Sequence, residues 1–288
     1  MLEITEQKIK KILPIEGPSF EEVKKYLNKY NDEYIVIKCG GSVLNDPNLF
    51  NNFINDISIL NKLGFIPILI HGGGKKISEK LEASGIKSNF INGLRVTNEK
   101  SINIVDEILN NFNREIIEAL KQNGCGGQRI SNRENNIITV IQESKELGFV
   151  GTPTEIDDSI INQIVKEKKV PIIAPLGLDK DNKVYNINAD TVAGAIAKKL
   201  KARRLIIMSD VEGVLDSNKK LITEINTKEI HELIENKVIH GGMIPKIKNC
   251  LEVASNGVRG IVIIDGRKNH SLLFELLSDI GSGTLIRK

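Results

Sequence analysis

Aromatic residues are scarce in this chain: 288 residues hold eight Phe, four Tyr and no Trp. Charge of one sign is scarce too, since Lys+Arg exceeds Asp+Glu by only 40 − 37 = 3 and the charges are interspersed. Proteins that bind nucleic acid use a clustered basic surface and aromatic rings for stacking, so no nucleic-acid partner is expected. Cysteine is thin and odd in number. Cys39, Cys125 and Cys250 form no CxxC pair and no Cys/His zinc spacing, which fits free thiols in a reducing cytoplasm better than a disulfide framework. Long apolar runs are missing. Residues 65–70 are strand length, far short of the ~20 residues of a membrane helix, so no membrane association is expected. The opening MLEITEQKIKKIL lacks the apolar core of a secretory signal, and Glu3 and Glu6 are foreign to a transit peptide. Also absent are GxxxxGK[ST], GxGxxG, HExxH and a nucleophile elbow. The four histidines, His71, His231, His240 and His270, are scattered and make no metal set, so no protein-held metal is expected. His71 stands where it either touches a ligand or fills a crowded turn.

What is present is an alternation of β-branched runs and amphipathic stretches. Runs at 34–38, 66–70, 137–141, 170–174, 205–208 and 260–264 are apolar on successive residues, the pattern of strands covered on both faces. Between them, 49–63, 100–122, 160–168, 191–201 and 243–255 read as helices. The order predicts an α/β fold, a three-layer αβα sandwich around a mainly parallel sheet. The run 137–141 follows a polar loop and reads either as a sheet strand or as part of a hairpin. Ser19 with Glu22 forms a capping box for a helix reaching about Tyr30, striped by Val23, Leu27 and Tyr30. That helix either packs on a neighbour or another subunit, or lies on the surface. The chain is long enough to bury its own core without staples, and the polar segment 179–183 is its softest boundary. Residues 1–31 then form an extension with an oligomerisation helix, 32–177 an N-terminal lobe and 178–288 a C-terminal lobe.

Two strand ends carry glycines: Lys38-Cys39-Gly40-Gly41-Ser42 and His71-Gly72-Gly73-Gly74. Glycines there let the backbone approach a ligand and present successive N–H groups, and a helix starting behind each adds the positive end of its dipole. Either loop alone reads as an ordinary tight turn; two together, with Lys38 beside them, suit the phosphates of one ligand. Asn186, Asn188 and Asp190 alternate along an extended segment and so share a face, suited to holding a polar ligand or orienting a lysine. Asp190 and Thr191 are equally placed to cap the helix that follows. Ser209-Asp210 ends a strand at the edge where open α/β sheets bind ligands, or forms a turn with a capping Asp. Gly241-Gly242-Met243-Ile244-Pro245-Lys246 feeds a helix with Pro245 in its first turn, setting Lys246 near an anion site or on a helix surface.

In this order the motifs closely resemble the amino acid kinase family, over nearly all of the chain from about residue 23, and within it the arginine-inhibited branch that phosphorylates N-acetyl-L-glutamate. The Lys-x-Gly-Gly loop marks the superfamily. Gly93-Leu94-Arg95-Val96-Thr97 and Asn186-Ile187-Asn188-Ala189-Asp190 are more specific, and Asp210-Val211-Glu212-Gly213-Val214 and Asp265-Gly266-Arg267 complete the set. The resemblance implies transfer from ATP with Mg2+ to the substrate's γ-carboxylate, the second step of arginine biosynthesis. Lys38 and Lys246 would flank the transferring group and Asp190 would orient them. Gly40, Gly41, Gly72, Ser209 and Asp210 would contact ATP and phosphate, with Gly40, Gly41, Gly72 and Gly73 donating N–H bonds. Gly73, Gly74, Arg95 and Asn186 would hold the acetylglutamate, Arg95 gripping its α-carboxylate.

The resemblance extends to regulation. The segment 23–30 is similar to the extra helix that interlaces dimers into a hexamer, a trimer of dimers. Tyr26, His270, Glu275, Gly281 and Gly283 fall on the arginine site of such relatives, which implies feedback inhibition by L-arginine. Lys24-Lys25 replaces a usual Leu-Pro, and Ile280 replaces a common acidic residue. Segment 124–136 departs from a Gly-Leu-Ser-Gly-Lys-Asp-Gly pattern, with Arg129, Arg133 and Glu134 where small residues are usual, which bears on substrate scope or kinetics. A nitrogen-signalling partner is not legible in one sequence. The rival readings are a same-fold kinase for a related acid such as carrier-linked aminoadipate, and a non-catalytic arginine sensor. The Gly93 and Asn186 segments argue against the first; Lys38, Lys246 and Asp190 argue against the second.

Overall fold

The computed structural model describes residues 6–30, 32–241 and 243–288. Gly242, one of the two glycines before the Lys246 helix, lies outside the described residues, as do Asn31 and residues 1–5 of the extension. In chain order the first part comprises α1 (Glu6–Ile12), α2 (Phe20–Leu27), β1 (Tyr34–Cys39), α3 (Gly41–Leu44), α4 (Pro47–Lys62), β2 (Ile66–His71), α5 (Gly74–Ala83), β3 (Phe90–Ile91), β4 (Leu94–Arg95) and α6 (Glu99–Gln122). The middle holds β5 (Gly127–Ile130), β6 (Ile138–Gln142), β7 (Gly151–Ile156), α7 (Ser159–Lys166), β8 (Val170–Ile173), β9 (Leu176–Leu178), β10 (Val184–Asn186) and α8 (Ala189–Leu200). The last part holds β11 (Arg204–Ser209), β12 (Glu224–Asn226), α9 (Thr227–Glu235), α10 (Met243–Ser255), β13 (Ile261–Asp265), α11 (Ser271–Leu277) and β14 (Gly283–Arg287).

Eight strands form one sheet in the order β12-β14-β13-β11-β1-β2-β8-β5. From β13 to β5 every pairing is parallel, and β14 turns antiparallel against β13. The alternation of side chains along each central strand explains the layers. Val36 of β1, Leu205 and Ile207 of β11 and Ile261 and Ile263 of β13 pack on one face with α8 and α10. Ile35, Ile37, Ile206, Met208, Val262 and Ile264 pack on the other with α4 and α11. A strand apolar at every position is stable only between two helical layers, because burying each Ile or Val side chain contributes about 1.5–3 kcal/mol. The expected αβα sandwich is what forms. Run 137–141 belongs to the hairpin alternative: β6 pairs antiparallel with β7 in a second sheet of order β10-β9-β6-β7. Residues 179–183 make the turn between β9 and β10, closed by the bond from Asp179 N–H to Lys183 O.

The N-terminal helix has its capping box, with Ser19 Oγ accepting from Glu22 N–H at 3.3 Å and Glu22 accepting from Ser19 N–H at 3.0 Å. It ends at Leu27 rather than about Tyr30, because the chain must turn into β1: Lys29 N–H closes onto Tyr26 O, and Asp32 takes a φ of 57°. Val23 and Tyr30 are buried in this chain's own core beside α11. The helix is thus part of the fold of the single chain. No described helix is long and apolar enough to cross a membrane, and all three cysteines are free and buried.

Candidate active site

Parallel strands deliver their carboxyl ends to one edge of the sheet, and there β1, β2 and β11 stand side by side. Each expected loop is found at that edge. β1 runs through Gly40 into α3, and β2 through Gly72 and Gly73 into α5. First-turn N–H groups have no carbonyl partner inside their own helix, and Gly40, Gly41, Gly73 and Gly74 line a cleft of about 250 Å³. Gly72 departs from its expected role as a donor. The β1–β2 ladder continues past His71, so Gly72 N–H is taken by Cys39 O at 3.0 Å. Gly72 still lines the cleft. Burial holds the imidazole of His71 down to about 4, and its ring packs near Phe112 outside the cleft lining. Of its two readings, the structural one holds.

Asp190 gathers the charges. Asn188 caps α8, accepting from the N–H groups of Asp190 at 2.9 Å and Thr191 at 3.2 Å. The capping expected of Asp190 or Thr191 is therefore done by Asn188, which leaves the Asp190 carboxylate for other partners. Lys38 Nζ stands 3.0 Å from Asp190 Oδ1 and Lys246 Nζ 3.4 Å from Oδ2. The two ammonium groups reach this carboxylate from the end of β1 and the first turn of α10. Burial pushes the Asp190 carboxyl up, but the combined charges and hydrogen bonds of Lys38 and Lys246 outweigh burial, and its pKa lies below the ordinary carboxylate value. Lys246 also donates to Ser209 Oγ at 3.3 Å, and Ser209 in turn donates to Asp210 Oδ1 at 3.3 Å. Next to Ser209 in register, Asp265 of β13 binds Arg267 through Nε at 2.9 Å and Nη2 at 2.8 Å.

The other wall carries Arg95 and Asn186. Arg95 is buried and held by Ser88 Oγ at 2.7 Å, Gly74 O at 2.8 Å and Ser78 Oγ at 2.8 Å, with its guanidinium 4.7 Å from the Phe90 ring centre. These bonds use three of its five N–H groups and tie the residue to the second glycine loop. Burial lowers its pKa from the usual guanidinium value. Such an arrangement offers a fixed cation to an anion at one end of the cleft and Lys38 beside Asp190 at the other; Lys246 reaches the same carboxylate but, like Ser209 and Asp210, lies outside the cleft lining. The arrangement can bring two anionic reactants together without a general base. Among the described residues no group of three His, Cys, Asp or Glu side chains could hold a metal ion.

Sequence reasoning missed Ser78 and Ser88. Ser78 follows Gly74 by four positions on α5 and so shares its face, a recoverable signal; nothing local marks Ser88. Segment 124–136 spends its charges on bracing: Arg129 pairs with Glu134, and Arg133 pairs with Asp106 of α6, which also accepts from Asn132 and Asn110. The residues grouped above as an arginine site lie elsewhere. Gly281 and Gly283 line a second cavity of about 390 Å³ beside α11. Glu275 accepts from Ser282 N–H at 2.9 Å, and burial raises its pKa against that bond and the charges of Arg204 and Lys29. Tyr26 donates to Asp279 at 2.6 Å, which sends its pKa up to about 12, and His270 pairs with Asp56 at 2.6 Å.

Comparison with known proteins agrees with this geometry. Residues 33–265 match the Amino acid kinase family. The chain is 66% identical over 288 residues, 100% of both proteins, to the acetylglutamate kinase of Pelagibacter ubique (strain HTCC1062). It is 40% identical over 275 residues, 91% of each protein, to the acetylglutamate kinase of Bartonella henselae. A crystal structure of N-acetylglutamate synthase from Neisseria gonorrhoeae, complexed with coenzyme A and N-acetyl-glutamate, shares the fold at a TM-score of 0.85 and 22% identity, over 93% of this chain and 62% of that longer one.

Proposed function

The chain belongs to the amino acid kinase family, and from that premise we propose that its cleft phosphorylates the γ-carboxylate of N-acetyl-L-glutamate with ATP, giving N-acetyl-L-glutamyl 5-phosphate in arginine biosynthesis. The observation that carries this reading is Asp190 held between Lys38 at 3.0 Å and Lys246 at 3.4 Å, at the mouth of two glycine loops. A carboxylate is already a nucleophile at neutral pH, so the obstacle is repulsion between it and the triphosphate. Catalysis is then positioning plus neutralisation of charge around an in-line transfer. Lys38 and Lys246 flank the moving phosphoryl group, and Asp190 holds them apart at a fixed spacing. N–H groups of the Gly40–Gly41 and Gly73–Gly74 loops meet developing charge. Arg95 takes the α-carboxylate, and Asn186 takes the acetamido side.

The N-terminal lobe then supplies most of the acetylglutamate site, with Asn186 reaching it from the C-terminal lobe, and the C-terminal lobe binds the nucleotide, with Ser209 and Asp210 on that side. Magnesium enters with ATP, held by phosphate oxygens and water. This fits a cleft whose carboxylate is already committed to two lysines. We assign L-arginine, as feedback inhibitor, to the cavity beside α11, which Gly281 and Gly283 line while Glu275, His270 and Tyr26 lie outside its lining, and we assign a homohexamer in the cytoplasm to the assembled enzyme. Saturating arginine with no effect on turnover would remove the first assignment, and a smaller mass by light scattering the second.

An ATP assay with hydroxylamine as acyl-phosphate trap tests the function. Hydroxamate is expected with N-acetyl-L-glutamate and not with free glutamate, aspartate or a carrier-linked aminoadipate. Product with aminoadipate alone would select the rival kinase, and no product with any acid would select the arginine sensor.

A further inference from the structure

Thr97 belongs to the motif that supplies Arg95, yet it lies outside the cleft lining and is fully buried. Its hydroxyl donates to Arg95 O at 3.0 Å and stands 3.4 Å from Asn186 Nδ2. A hydroxyl has one proton to give and lone pairs to accept with. The shorter contact takes the proton, so towards Asn186 the Thr97 oxygen can only accept. That orders the amide: Nδ2 faces Thr97, and Oδ1 is the end left for the cleft that Asn186 lines.

The backbone holds the same two residues in place. Thr97 N–H donates to Leu147 O at 2.9 Å, Phe149 N–H to Thr97 O at 2.7 Å, and Asn186 N–H to Phe149 O at 3.0 Å. Residues 147–149 are thus a strut between Thr97 and Asn186. The strut needs glycine at its centre, because Gly148 has a φ of 70° and a Cβ there would lie 2.4 Å from Thr97 O.

We propose that Thr97 is a positioning residue that fixes the Asn186 amide with its oxygen towards the substrate, and so selects an acid bearing an N–H donor beside its α-carboxylate. This rests on the acetylglutamate reading and deepens it. The secondary amide of N-acetyl-glutamate meets Asn186 Oδ1 with a proton. The isosteric ester, 2-acetoxyglutarate, meets it with an oxygen lone pair and is repelled. A site built around one hydrogen bond rejects the analogue lacking its partner strongly, by ~10²-fold or more.

The test compares kcat/KM for N-acetyl-L-glutamate and 2-acetoxyglutarate in the full-length enzyme, Thr97→Val and Thr97→Ser. Thr97→Val removes the hydroxyl at nearly constant volume and frees the amide to flip. Its KM for N-acetyl-L-glutamate should rise about tenfold, the size of one hydrogen bond, with kcat within about threefold and KM for ATP unchanged. The preference for amide over ester should fall at least tenfold, and Thr97→Ser should restore it. An unchanged preference in folded Thr97→Val overturns the proposal. So does a joint loss of kcat, ATP binding and thermal stability at constant preference, which marks a purely structural residue. If Thr97→Val yields no folded protein, Thr97→Cys, a poorer donor and acceptor, should shift the preference the same way; no shift there also overturns it. Wild-type enzyme inactive on N-acetyl-L-glutamate would instead fail the functional reading itself.

Discussion

Two buried carboxylates in this molecule are treated in opposite ways. Asp190 has two ammonium partners, Lys38 and Lys246, and their pull outweighs burial, so its pKa falls. Asp56 on α4 has one partner, the His270 imidazole at 2.6 Å, and burial wins, pushing its carboxyl up to about 6. The difference is one of charge count. At Asp190 the cluster carries one positive charge in excess and faces a cleft, so it is balanced only when an anion arrives. At Asp56 the pair balances itself, away from the cleft lining. The cluster proposed for catalysis and a joint for structure are built from the same residue type.

Breaking the cleft cluster should have the largest effect. Lys38→Ala or Lys246→Ala should lower kcat by ~10²–10³, as expected for loss of one preorganised charge stabiliser; steady-state kinetics at saturating ATP checks it. Breaking the joint should act on stability instead. Asp56→Ala leaves His270 without its buried partner, at a cost of about 3 kcal/mol, with kcat unchanged. Urea unfolding together with turnover separates the two outcomes, and a fall in kcat at constant stability would contradict the division of labour.

Titration should give a smaller effect. The hydrogen bond and charge of Asp56 raise the His270 pKa above 6.5 in the folded state. For a base raised on folding, the stabilisation is fully present below the unfolded pKa and is lost as pH rises through the folded one. The stability advantage of wild type over His270→Asn, a residue that accepts the same left-handed backbone, should therefore shrink as pH rises above 6.5, and it should also fall below about 6, where the Asp56 carboxyl takes up a proton and the ion pair is lost. A difference that grows as pH rises above 6.5 would reverse the argument.

How much of this was legible in the sequence depended on how local each signal was. The central strands were readable because 34–38, 66–70 and 205–208 are apolar at nearly every position, which only a doubly covered strand requires. The second sheet was not. β9 and β10 have three residues each and β6 alternates buried with exposed positions, so their pattern is too short to stand out. Both glycine loops were local and readable. That Lys38 and Lys246 share one carboxylate was an expectation only through resemblance, since it depends on β1 and α10 meeting in space. The capping of α8 by Asn188 went unread because Asn188, Asp190 and Thr191 all suit the role. Gly72 shows the limit of reading glycine as a donor, because the neighbouring strand claimed its N–H first.

The central claim is that Lys38 and Lys246 act together on one phosphoryl group. Rapid-quench measurement of a single turnover by the Lys38→Ala Lys246→Ala enzyme, with ATP and N-acetyl-L-glutamate both bound, tests it most directly. Transfer should be slowed by at least the ~10²–10³ expected of either single change, with the protein folded. A rate near that of the wild type would contradict it.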